Sequence, residues 1–322
     1  MDDLELTWGS CCSGSEGVHY VVEACAQAME ETGLPVTFQH AFSCESNKAK
    51  RSWIADVLCK GQVFNSDMHE TFATHAEVGC IFEDIKDMGS EMSKCSLHGK
   101  ECPVPSVDCL FIGTSCKDLS RANSSVDKSK LVLSQESSRG ASAQTFRGML
   151  SYCQGHRPTL VLFENVDAID DKVSSNTETN LSLLMNAMKE PGYEGQKIMT
   201  DGQEFGLPCR RRRLYVMFID KESSKVDTQT KTLSQIFSTL RTLVTSCMRS
   251  PPCSKECLLS PSEPDHLELL EKALGEHQKS AQKAAEKKAP PQTWLDRHMA
   301  YADDLGYRWG SAVGEEDRKS VV

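Results

Sequence analysis

The sequence predicts an α/β fold over residues 1–220, followed by a smaller C-terminal region over 221–322. Three observations carry this. From Trp8 to Ile219, apolar runs bounded by Gly, Ser and Asn alternate with helical stretches, the pattern of strands and crossover helices. Chemistry-bearing residues follow directly on the apolar runs, at the strand ends where open α/β folds gather ligands. Beyond residue 220 the texture turns to Ser, Thr and Lys, broken by Ser250-Pro251-Pro252-Cys253-Ser254 and by Ala289-Pro290-Pro291.

Near the N-terminus, Cys12-Ser13-Gly14-Ser15-Glu16-Gly17 reads as a small-residue turn ahead of a helix, where backbone amides can approach a ligand. Val18, Val21, Val22, Cys25, Ala28 and Met29 recur at helical spacing across Val18 to Glu31, and Gly33-Leu34-Pro35 ends that helix. The strand-like Thr37 to Cys44 ends in Glu45, a carboxylate placed to accept both hydroxyls of a ribose. Glu45 follows Gly14 by 31 residues, against roughly 20 in the usual dinucleotide fingerprint, so an extended helix or exit loop is expected between them.

Ile81-Phe82-Glu83-Asp84-Ile85 forms the next apolar strand end, with Val63-Phe64-Asn65-Ser66-Asp67 as its rival; either aspartate also reads as a turn residue. Cys109 to Gly113 is a strand that leads through Thr114 and Ser115 to Cys116, the position of a nucleophile, with Lys117 adding a cation beside it. A helix over Ala143 to Cys153 precedes the strand Thr159 to Phe163, which delivers Glu164-Asn165-Val166. Phe205-Gly206-Leu207-Pro208-Cys209 then runs through Arg210 to Arg213 into the apolar Leu214 to Ile219. Four arginines can be a localisation signal, but the buried-looking strand that follows favours a pair facing a site. Ser262 to Lys288 reads as a charged packing helix with Leu267, Leu269, Leu270 and Leu274 apolar, in preference to a nucleic-acid arm.

Composition narrows the classes. The acidic N-terminus, Met1 to Trp8, lacks a signal-peptide core, and no run reaches the roughly 18 apolar residues of a membrane span. An intracellular protein with its 15 cysteines reduced is expected. Cys95, His98 and Cys102 lack paired Cys-x-x-Cys spacing, so no metal is expected there. Net charge is 36 − 46 = −10, and since residues 221–322 hold 15 of each sign, the excess acid precedes residue 221. That distribution argues against strong non-specific grip on duplex DNA.

The order of these segments resembles the cytosine-5 DNA methyltransferase family over Thr7 to Ile219. Glu164-Asn165-Val166 matches a family motif unchanged, with Thr145, Phe146, Arg147, Leu150 and Arg157-Pro158 resembling the helix and turn ahead of it. Cys116 stands in a family Pro-Pro-Cys-Gln frame altered to Thr114, Ser115 and Lys117. The arginine run is similar to Tyr-Gly-x-Pro-Gln-x-Arg-x-Arg, with Cys209 for Gln and Arg211 and Arg213 in the arginine positions. The first turn resembles aromatic-x-Gly-x-Gly-Gly, with Cys12 for the aromatic and Glu16 for a glycine. Residues 221–322 have the length of a small, divergent or partial target-recognition domain, without a convincing copy of one or of the last motif, Gly-Asn-x-x-Pro; Arg308-Trp309-Gly310-Ser311-Ala312-Val313 is that motif's faint shadow.

The resemblance implies a Rossmann-like methyltransferase domain with a mixed, mostly parallel sheet. It implies S-adenosylmethionine held by Cys12, Ser13, Gly14, Ser15, Gly17, Glu45, Asp84 and Ile85, with Asp84 taking the adenine amino group and Ile85 covering the ring. It implies catalysis by Cys116, Glu164, Arg211 and Arg213 on cytosine in DNA, in the nucleus, with DNA affinity weak without a partner. The alternatives are the same chemistry on tRNA, and a silent relative that serves as a regulatory subunit for a partner protein; Glu16, Ser115 and Cys209 keep the latter open.

Overall fold

Paired parallel strands demand apolar residues on both faces, and the chain supplies them at the centre of its sheet. The computed structural model describes residues 4–34, 36–60, 79–123, 131–134, 140–172, 178–226 and 230–250, with 271–272, 275–276 and 278–279. The elements run β1 (Leu4–Cys11), α1 (Gly17–Glu31), β2 (Val36–Cys44), α2 (Lys48–Lys60), β3 (Cys80–Phe82), β4 (Met92–Cys95), β5 (Lys100–Pro103) and β6 (Cys109–Gly113). They continue with α3 (Ala141–His156), β7 (Leu160–Val166), α4 (Asn180–Lys189), β8 (Tyr193–Asp201), β9 (Arg212–Asp220) and α5 (Leu233–Ser246).

The nine strands form one sheet in the order β5-β4-β3-β2-β1-β6-β7-β9-β8. Strands β3, β2, β1, β6 and β7 are parallel, and β9 inserts antiparallel between β7 and β8. The expected α/β, Rossmann-like, mostly parallel sheet is therefore present. Strand order reverses at β1, so a crevice opens at the carboxyl ends of β1, β2 and β6, the switch point where such folds bind ligands.

Alternation along the strands builds a core on each face. Cys11, Phe42, Leu110, Ile112, Val161 and Phe163 pack with Phe146, Met149 and Tyr152 of α3. Trp8 and Cys109 pack with Val18 and Val22 of α1 on the other. Gly9 is required here, because a Cβ on it would fall 2.4 Å from the Phe42 ring. The predicted end of α1 is observed: Thr32 closes the helix and Gly33 takes φ +74.

His40 of β2 lies edge-on to Trp8, 4.6 Å between ring centres, with Nε2 2.9 Å from Ser43 Oγ and Nδ1 buried without a partner. Burial, with His19 nearby, lowers its pKa from 6.5 to about 4. Protonation is then penalised only in the folded state, so this stability is complete above the unfolded value and is lost as pH falls towards 4. Between pH 6.5 and 4 the wild type is expected to lose up to about 3 kcal/mol more than His40→Gln. Urea melts across that range check it, and parallel pH profiles would overturn it.

The chain divides into two compact units, one of Met1–Asp201 with Arg211–Met248, the other of Gly202–Arg210 with Arg249–Val322. The first unit thus continues past residue 220 and includes α5. In the second, Arg249 donates through its backbone N–H to Glu204 O and through Nε to Phe205 O, and Gly206 turns with φ +85 beneath that side chain. Of the span Ser262 to Lys288, only Glu271, Lys272, Gly275, Glu276, Gln278 and Lys279 are described, all helical; its four leucines lie outside the described residues. No helix among the described residues is long and apolar enough to cross a membrane.

Candidate active site

The carboxyl ends of β1, β2, β3 and β6 enclose a cleft of about 870 Å³, within the range of small-molecule sites. Its lining includes Cys12, Glu45, Asn47, Asp84, Ile85, Ser115 and Lys117. A second hollow, on the opposite edge of the sheet, is lined by Asp108, Arg157, Asp220 and Lys225. There the charges answer one another, Arg157 with Asp220 at 2.8 Å and Lys225 with Asp108, so it reads as structural cement.

Glu45 is buried at the end of β2, and its carboxylate is fixed from both sides. Oε2 accepts the Gly14 N–H at 2.9 Å, and Oε1 accepts the Asn47 N–H at 2.9 Å. Asn47 in turn caps α2 through Ala49 N–H. Ser13 ties the first turn to β2, its N–H and hydroxyl donating to Cys44 O while its Oγ accepts the Cys44 N–H. Gly14 takes φ +62 there. Ser15 and Gly17 are exposed and outside the cleft lining. Asp84 caps its own short 3₁₀ turn, accepting from Lys86 N–H at 3.1 Å and pairing with Lys86 Nζ at 2.8 Å. Ile85 is buried beside it under α3, where Gly148 leaves room for the Ile85 carbonyl. The rival Val63 to Asp67 lies outside the described residues.

Glu16, the departure from a family glycine, does not intrude. Its carboxylate is fully buried away from the cleft lining; Oε2 accepts from Ser10 Oγ at 2.9 Å, while Oε1 has no partner. Burial raises its pKa above 4.5, against the opposing hydroxyls of Ser43, Ser10 and Ser13. A carboxyl raised in the folded state contributes stability that is complete below about 4.5 and lost as pH rises through the folded value. Glu16→Gln is therefore expected to gain on the order of 1 kcal/mol over wild type at pH 8 and to lose that advantage near pH 4. Denaturant midpoints at both pH values decide it; an equal difference at both would count against it.

Cys116 is half-buried on the loop leaving β6, and none of the bonds that hold this loop uses its thiol. Ser115 N–H donates to Thr145 Oγ1 at 3.1 Å. Asp118 N–H donates to Ser142 Oγ at 3.0 Å, and Asp118 Oδ2 accepts Ser142 N–H at 2.9 Å. The cap of α3 is Gly140, which has no side chain, so Asp118 caps that helix from another segment. Asn165, buried in β7, donates through Nδ2 to both Thr114 O at 3.0 Å and Thr114 Oγ1 at 2.9 Å. Residues of the Glu-Asn-Val strand and of α3 thus clamp the loop from both sides.

Glu164 sits opposite Gly113 in the β6–β7 register, and a Cβ at Gly113 would lie 3.3 Å from its Oε2. Arg213 reaches it diagonally from β9 to β7, Nε to Oε1 at 2.9 Å. The structure therefore joins Glu164 with Arg213. Arg211 is exposed, its backbone N–H on Asp201 Oδ1. Cys209 is exposed and belongs to the second unit. The supporting roles not read from the sequence are those of Asn47, a local cap between Glu45 and α2, and of Asp118 and Thr145, polar residues whose partners lie in other segments.

A model of C-5 cytosine-specific DNA methylases matches residues 63–306 of the chain. The chain belongs to this family. The match omits the first turn and Glu45 but runs beyond Ile219, where the sequence reading ended the resemblance, so residues 220–306 carry a likeness that the motifs did not disclose. A curated relative, the DNA (cytosine-5-)-methyltransferase DMT5 of Cryptococcus neoformans var. grubii, is 29% identical over 244 residues. Those residues are 75% of this chain, and the chain spans 9% of that relative's length. Among solved structures, the S. pombe Dnmt2 methyltransferase is 14% identical with a TM-score of 0.37, over 73% of this chain and 54% of that one. Entamoeba histolytica methyltransferase EhMeth is 15% identical with a TM-score of 0.37, over 69% and 55%. The chain thus spans about half the length of these structures.

Proposed function

We propose that the chain is an S-adenosylmethionine-dependent cytosine-5 methyltransferase acting on DNA, with residues 1–220 as its catalytic domain. The observation that carries the reading is the clamped Cys116 loop leaving β6 where Glu164 and its Arg213 partner stand on the adjoining strands. The cofactor side fits on the donor set: a backbone-fixed Glu45 carboxylate for ribose hydroxyls, Asp84 and Ile85 for adenine, and a first turn around Cys12, Ser13 and Gly14 that Glu16 leaves clear. Bound S-adenosylmethionine supplies an electrophilic methyl group.

Cytosine C5 is too weak a nucleophile to take that methyl unaided. The Cys116 thiolate would add to C6 and make C5 enamine-like, able to take the methyl that the cofactor would supply, with the neutral thioether as leaving group; loss of the C5 proton to a base would then restore the C5–C6 double bond and expel the thiolate from C6. Glu164 holds N3 and the exocyclic amine and stabilises charge that develops during addition, while Arg213 serves the O2 side and orients Glu164. Arg211, on the same strand approach, is the second arginine of the motif. The target base leaves its stack to reach the thiol. The acidic charge of −10 makes duplex affinity weak and strongly salt-dependent, so a partner or further recognition region supplies the grip, and a nuclear location follows from the substrate.

Covalent trapping tests this. With S-adenosylmethionine and duplex DNA carrying 5-fluorocytosine, whose C5 substituent cannot leave as a proton, a denaturation-resistant adduct is expected. An adduct with tRNA alone would move the substrate to RNA. Cofactor binding with no adduct on either would favour the silent regulatory relative.

A further inference from the structure

Three cysteines and a histidine converge where β3, β4 and β5 finish one side of the sheet. Cys80 lies on β3, Cys95 ends β4, His98 is in the turn, and Cys102 is on β5. Their ligand atoms all lie within 4.8 Å of one another. Nδ1 of His98 is 3.6 Å from Cys80 Sγ and 3.4 Å from both Cys95 Sγ and Cys102 Sγ.

Hydrogen bonding does not explain this convergence. Nδ1 has either one N–H or one lone pair, which serves one sulfur well and leaves two. A tetrahedral zinc with bonds of about 2.3 Å to sulfur and 2.0–2.1 Å to nitrogen sets its sulfur and nitrogen ligands roughly 3.6 Å apart, close to the separations found. Cys95 Sγ also accepts the Ile81 N–H at 3.4 Å, the kind of outer contact that steadies a ligating thiolate. Cys95 and Cys102 are buried while His98 is exposed, so the cluster has a route to solvent for metal entry.

We propose that Cys80, Cys95, His98 and Cys102 bind one zinc ion as a closed structural site. Four protein ligands leave no open position for chemistry, and three sulfurs with one imidazole suit zinc. The expectation of no metal rested on Cys95, His98 and Cys102 alone; the fold brings in Cys80 as the fourth ligand. The β4–β5 hairpin meets β3 through the single register pair Phe82 and Cys95, and these strands are three or four residues long. Zinc would bind that hairpin to the strand that leads directly into Asp84 and Ile85.

Elemental analysis of the full chain, expressed with zinc and dialysed, should find one zinc per chain. His98→Ala and Cys102→Ser should lose it, while His98→Cys, which keeps four ligands, and Cys209→Ser, an exposed cysteine outside the cluster, should retain it. Cobalt(II) exchanged into the wild type should show tetrahedral ligand-field bands with thiolate charge transfer, a reading that stands even if a variant fails to fold. Wild-type protein without zinc and without those cobalt bands, or zinc retained in His98→Ala and Cys102→Ser, overturns the proposal.

Discussion

Replacing Cys116 by serine is expected to abolish both the 5-fluorocytosine adduct and methyl transfer, a loss on the order of 10⁴-fold or more, as befits removal of a covalent nucleophile. Serine is nearly isosteric, and the bonds that set the loop run through Ser115, Asp118, Thr114 and Asn165. The variant should therefore melt with the wild type and bind S-adenosylmethionine equally well. Cys12, which lines the cleft together with Ser115 and Lys117 on either side of Cys116, is the competing thiol. Burial first, then the charges of Cys44, Glu45 and Asp84, push it up to about 12, so it remains a neutral thiol near pH 7. Radiolabelled methyl transfer and denaturing gels of Cys116→Ser beside Cys12→Ser separate the two: an adduct that survives the first and vanishes with the second would remove Cys116 from its role.

What the sequence discloses and what it hides follow from range. Cys116, Glu164 and Arg213 stand at the ends or starts of apolar strands, and period-two runs flanked by small residues can be read locally. Glu45 and Asp84 were legible for the same reason. Asp118 was not, because capping a helix some twenty residues away leaves no mark on its own neighbours. Cys80 was hidden likewise: it precedes Cys95 by fifteen positions and becomes a neighbour only because β3 and β4 pair. Strand β8 escaped because Tyr193–Asp201 is largely polar, as a sheet edge allows. Arg211 was grouped with Arg213 by motif spacing, yet Arg211 precedes β9, which begins at Arg212, and it is Arg213 that pairs with Glu164.

Glu164→Gln is expected to lower turnover by on the order of 10²–10⁴-fold while leaving cofactor binding unchanged, the range typical of a positioned proton-handling group. Glutamine keeps the shape and one acceptor but loses the charge that Arg213 pairs at 2.9 Å and that would stabilise a protonated N3. Arg213→Ala attacks the same unit from the other side. It leaves the partly buried carboxylate unpaired and free to rotate beside Gly113, so turnover should fall by a similar factor. Because both changes disable one pair, the double variant should cost little more than the worse single one. Arg211→Ala supplies the contrast: an exposed side chain on the same strand approach should cost less than Arg213→Ala if contact with Glu164 is what matters. Single-turnover methyl transfer by the four variants, with S-adenosylmethionine affinity measured alongside, resolves the roles. Independent, multiplying losses for Glu164→Gln and Arg213→Ala would show that the two residues do not act together, and a wild-type rate in Glu164→Gln would remove the carboxylate from the reaction.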